Sequence, residues 1–118
     1  MEELRKPFIQ YVPLITQRTQ PYHWVCVFLC RDMERKLYEV QRKLNHDEFI
    51  YSVNPREVGR KFNLSSITVS RVLRTFLYKS KLKENDDWYT TTSSGGVRNF
   101  KIRVTPSTIY SMKSFLGV

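Results

Sequence analysis

Glu57-Val58-Gly59-Arg60-Lys61-Phe62-Asn63-Leu64-Ser65-Ser66-Ile67-Thr68-Val69-Ser70-Arg71-Val72-Leu73 is the stretch that decides the fold. Just upstream, Asn54-Pro55-Arg56 carries a helix start: Asn54 can cap, Pro55 suits the first turn, and Glu57 falls three after the cap, as a capping box asks. That helix ends near Phe62, because Asn63 tolerates the left-handed conformation a tight turn requires. Ser65 or Ser66 then caps a second helix running to about Lys81, with Val69, Val72, Leu73, Phe76 and Leu77 on its buried side. Val58, Phe62, Leu64, Val69 and Val72 form a small shared core that fixes the angle between the two helices. Gly59 is small where they cross, so the backbones can approach.

Outward from this pair, Phe49 to Val53 is short, aromatic and β-branched, as a strand requires. Trp88 to Thr92 and Val97 to Val104 flank Ser93-Ser94-Gly95-Gly96, a hairpin signal. In the second of these strands Phe100, Ile102 and Val104 alternate with Asn99, Lys101 and Arg103, giving one buried and one wet, basic face. Thr105-Pro106 opens a last helix with Ile109, Met112 and Leu116 inward and Gly117 ending it. Toward the N-terminus, 21–46 holds no Gly or Pro after Pro21 and reads as one long helix. Residues 1–20, with Pro7 and Pro13 ahead of Pro21, read as an extended arm or a short helix. The expected class is α+β in the order helix, strand, helix, turn, helix, hairpin, helix. It divides into the arm 1–20, the long helix 21–46 and a domain 47–118.

This order is the layout of a winged helix-turn-helix. The segment 57–73, above all Thr68-Val69-Ser70-Arg71 with Leu73, resembles the helix-turn-helix of catabolite-activator-type and related winged-helix regulators. The resemblance is close over about twenty residues and loose over about seventy more. It implies that Ser66, Ile67, Ser70 and Arg71 face base edges in the major groove of double-stranded DNA. Arg71 would be the bidentate reader of guanine, or else a phosphate contact. Ile67 either meets a thymine methyl or packs against the turn. Arg56, Arg60, Thr68, Arg74, Tyr78 and Lys79 would touch the DNA backbone. Arg98, Lys101 and Arg103 would arm a wing whose Gly95-Gly96 tip enters a minor groove or follows a phosphate strand.

Charge supports such a partner. The 118 residues carry a net +9, and Arg56 to Lys83 alone holds eight basic side chains and one acid, a balance of +7. A block like this attracts polyanions and releases counterions when it meets phosphates, although a solvated basic face has the same composition. The acids Glu84, Asp86 and Asp87 sit at the near end of the wing and should face away from DNA.

His23, Cys26, Cys30, Met33, Leu37, Val40 and Leu44 are spaced by 3 and 4, a heptad seam that suits helix-on-helix packing. Many winged-helix regulators dimerise through an added helix, so Cys26, Cys30, Met33 and Leu37 are expected to form the seam of a homodimer, with Trp24 to Met33 against the partner. The alternative is a core helix of its own domain. No fourth ligand accompanies His23, Cys26 and Cys30, so no metal is expected, and the two cysteines read as buried free thiols.

Other classes fare badly. A hydrophobic fraction of 41% is too high for a disordered tail, and the longest apolar run, Trp24 to Cys30, is far short of a membrane span. Met-Glu-Glu-Leu-Arg-Lys at the start lacks a secretory pattern, so a cytoplasmic, nucleoid-associated location is expected. No Gly-rich phosphate loop, catalytic triad order or carboxylate cluster argues for an enzyme, and no small-molecule ligand or cofactor is expected. The sequence thus predicts a dimeric, sequence-specific DNA-binding transcriptional regulator, a small repressor of prokaryotic, archaeal or archaeal-viral type. Architectural, replication or partition DNA binding, or a protein-interaction winged helix, are the rivals.

Overall fold

The computed structural model describes residues 21–93, 95–96 and 98–118; the arm 1–20 lies outside the described residues. The elements are α1 (Pro21–Leu44), β1 (Phe49–Val53), α2 (Pro55–Phe62), α3 (Ser66–Lys79), β2 (Trp88–Thr92), β3 (Arg98–Val104) and α4 (Pro106–Leu116). Among the described residues this is an α+β fold of four helices and one three-stranded antiparallel sheet, ordered β1-β3-β2. The arrangement is compatible with a winged helix. No helix among the described residues is long and apolar enough to cross a membrane.

The sheet register follows the alternation of β3. Phe100, Ile102 and Val104 are fully buried, and opposite them stand Val53, Tyr51 and Phe49 of β1 and Thr90 and Trp88 of β2. Val69, Val72, Leu73, Phe76 and Leu77 of α3 and Ile109, Met112 and Leu116 of α4 complete the same core. Helix ends are set locally. Asn45 (φ 58°) stops α1 at Leu44, two residues short of the expected end, by adopting the left-handed conformation. A reciprocal capping box forms at Thr105 and Thr108 of α4, not at Asn54 and Glu57.

The long helix departs from expectation. Cys26, Cys30, Met33 and Leu37 have at most 5% of their surface exposed and join the core of their own chain, where α1 packs chiefly on α4. Lys113 Nζ of α4 reaches Glu34 Oε2 at 2.9 Å across that contact. The expected dimer seam is therefore corrected. The heptad face is covered by this chain's own residues, chiefly those of α4. Leu44, the last position of the heptad, is 61% exposed, and Trp24, Phe28 and Tyr38 are further large apolar side chains of α1 left in solvent. Burial pushes both thiols up, Cys30 to about 11, so both stay protonated at neutral pH. On the sheet side of α1, Tyr51 Oη donates to Asp32 Oδ2 at 2.7 Å. Burial pushes the Asp32 carboxyl up, but the hydrogen bonds from Tyr51 and Arg35 and the charge of Lys36 outweigh it, and the net shift is downward.

Candidate nucleic-acid interface

The local chemistry of the turn positions the candidate surface. Asn54 Oδ1 accepts from the amides of Arg56 (2.8 Å) and Glu57 (3.3 Å), which fixes the start of α2. At its end Asn63 is left-handed (φ 61°, ψ 47°), and the amides of Asn63 and Leu64 both donate to the Gly59 carbonyl, Leu64 at 2.8 Å. A Cβ on Gly59 would stand 2.3 Å from the Leu64 carbonyl oxygen, so the glycine is required by the turn's own backbone. Ser65 Oγ accepts from the Thr68 amide at 3.1 Å and caps α3.

This geometry brings the start of α2, the first turns of α3 and the hairpin tip around one cleft of about 150 Å³. Asn54, Arg56, Ser66, Ser70, Gly96 and Arg98 line it, and among the described residues no carboxylate does. Four of the sequence-predicted contacts, Arg56, Ser66, Ser70 and Arg98, thus converge from segments more than forty residues apart. Ile67, 66% exposed, and the exposed Arg71 lie beside the cleft on the outer face of α3. The exposure of Ile67 removes the option that it packs against the turn. Arg60 is exposed one helical turn after Arg56. None of Arg56, Arg60, Arg71 and Arg98 forms an ion pair with an acid among the described residues.

The remaining predicted contacts lie elsewhere. Tyr78, 76% exposed, and the exposed Lys79 stand at the far end of α3, about 12 Å of helix rise beyond Ser70. Thr68 is half-buried and accepts from Ser65 Oγ at 2.9 Å, so it serves the cap of α3. Arg74 makes contacts within the chain. Its guanidinium lies 5.4 Å from the Phe100 ring centroid and 5.7 Å from that of Trp88, with Nη1 3.9 Å from Glu84. A cation over two aromatic faces and beside a carboxylate is already satisfied, and it ties α3 to the hairpin.

Two of the three wing residues likewise have partners within the chain. Lys101 Nζ donates to Ser52 Oγ at 2.7 Å, across to β1. Arg103 sits about 16 Å along β3 from Arg98 and pairs with Glu48 (3.3 Å) and Asp87 (3.6 Å). The acids Glu84 and Asp87 therefore neutralise arginines of the scaffold, and Arg98 is the wing cation at the cleft. Sequence reasoning missed Asn54 and Gly96 as cleft-lining residues. Local chemistry shows Asn54 as a cap alone, and nothing local in the sequence brings Gly96 to the start of α2.

A comparison with protein-family models finds no match, and comparisons with curated proteins and with solved structures find none either.

Proposed function

We propose that this chain is a winged helix-turn-helix protein that binds double-stranded DNA with sequence preference and acts as a transcriptional regulator, a small repressor working by occlusion. The observation that carries the reading is the cleft where α2, α3 and the hairpin tip meet, lined among the described residues by no carboxylate and by Arg56 and Arg98, neither of which pairs with an acid among those residues. In this reading α3 enters the major groove with Ser66, Ile67, Ser70 and Arg71 toward base edges, and the tip of the β2–β3 hairpin follows the adjacent backbone. Arg56, Arg60 and Arg98 supply the sequence-independent part of the affinity. Arg71 supplies discrimination, because a fork-shaped donor on the outer face of a groove-sized helix matches the two acceptors of guanine.

Selection from a random duplex library tests the proposal. The parent should enrich one motif, and Arg71→Ala should bind its best site about 1–3 kcal/mol more weakly with little change on random duplex. A parent that binds duplexes without enriching any motif supports the architectural reading instead. A parent that binds no duplex removes both.

A further inference from the structure

We infer that Arg56 and Arg98 hold one and the same backbone phosphate, in the cleft between the start of α2 and the hairpin tip. The inference rests on the DNA-binding reading and assigns a subsite within it. Both arginines line a single cavity of about 150 Å³. That is the liquid volume of about five waters, enough for a phosphodiester and well below the ~300–1,000 Å³ of clefts that take drug-sized ligands. Two like charges carried by residues lining one small cavity repel when both guanidiniums turn toward it, and among the described residues neither arginine has a carboxylate partner to relieve that repulsion. An anion between them does so, and a phosphate offers each planar fork a pair of oxygens.

The helix start itself is not the attraction. The amides of Arg56 and Glu57 already donate to Asn54, and the Gly96 amide donates to the Ser93 carbonyl at 2.9 Å. The anion-binding groups are therefore side chains: the two guanidiniums, with the Ser66 and Ser70 hydroxyls as neutral donors on the α3 wall. Closing both arginines on one phosphate also fixes where the hairpin tip stands relative to α3, and so sets the register of the base-facing side chains.

Salt dependence counts phosphates rather than arginines, which makes the inference testable. Each neutralised phosphate contributes about 0.9 to the log–log slope of affinity against salt. Binding to one labelled duplex of about 20 base pairs would be followed between about 50 and 200 mM salt for the parent, Arg56→Ala, Arg98→Ala and the double variant. Each single variant should bind several-fold more weakly with nearly the parent's slope, because the other arginine still neutralises the phosphate. The double variant should be shallower by about 0.9. A double variant shallower by about 1.8, with each single variant shallower by about 0.9, shows two separate phosphates and overturns the shared site while leaving DNA binding intact. Unchanged slopes in all variants also overturn it. A parent with no salt-dependent binding fails the DNA reading itself, and the subsite with it. Both side chains are exposed, so unchanged thermal midpoints will show that the variants fold.

Discussion

Replacing Gly59 by alanine sets two effects of opposite sign against each other, and the structure says which wins. Alanine in a helix interior is favoured over glycine by about 1 kcal/mol, so propensity alone predicts a gain. The added Cβ, however, would lie 2.3 Å from the Leu64 carbonyl oxygen and 3.3 Å from its carbon, where ordinary contact begins at 3.4 Å. The turn must open by about 1.1 Å, and the atom in the way is backbone, which cannot swing aside as a side chain would. Overpacking of this kind costs about 1–3 kcal/mol. Opening also stretches the 2.8 Å bond from the Leu64 amide to the Gly59 carbonyl, a loss of about 0.5–1.5 kcal/mol. The net expectation is a destabilisation of about 1–3 kcal/mol. Urea unfolding followed by far-UV circular dichroism measures it. Gly95→Ala, with nothing within 4 Å of its added Cβ, is the control and should stay within about 0.5 kcal/mol of the parent. At temperatures where Gly59→Ala remains folded, duplex affinity should still be reduced, since the altered turn re-aims α3. A Gly59→Ala variant as stable as the parent, or about 1 kcal/mol more stable, refutes the reasoning.

Further expectations concern scaffold residues. Arg74→Met should lower the thermal midpoint by several degrees, about 1 kcal/mol, and leave the salt slope of DNA binding unchanged; a slope shallower by about 0.9 with an unchanged midpoint would return Arg74 to the phosphates. Met33→Ala should cost about 2–5 kcal/mol in chemical unfolding without changing the sedimentation of the folded protein, whereas lost self-association at unchanged stability would restore the partner-facing seam. Asp32→Asn should destabilise at neutral pH. The Asp32 carboxyl is held below its unfolded value of about 3.9, so its contribution is present above that pH and lost as pH falls through the lower folded value. Midpoints of parent and variant should therefore converge in acid, and a difference that persists at low pH would refute the assignment.

What was legible in the sequence was what is encoded locally. Asn54, Asn63 and Ser65 announce caps and a turn by chemistry acting within four residues, and the structure has each in that role. The alternation of β3 likewise shows which face is buried, and Gly117 ends α4 at φ 74°. The heptad of α1 was legible only in part, because periodicity shows that a face is covered and not what covers it. Here the cover is α4, more than sixty residues away along the chain. The intrachain partners of Arg74 and Arg103 were not legible for a related reason. Their partners, Trp88 and Phe100 for the one and Glu48 and Asp87 for the other, meet them only through tertiary packing, so composition counted them among the free cations. Of the basic side chains, Arg56 from the block and Arg98 from the hairpin line the cleft, and Arg60 and Arg71 are exposed on α2 and α3.

The central claim, that this surface binds the backbone and grooves of double-stranded DNA, is tested most directly by the salt dependence of duplex binding by the unaltered chain. Fluorescence anisotropy with a labelled duplex should give clear binding at about 50 mM salt and a log–log slope of about −2 to −3, as neutralisation of two or three phosphates by Arg56, Arg60 and Arg98 requires. A slope near zero, or no binding at about 50 mM salt, would contradict the account.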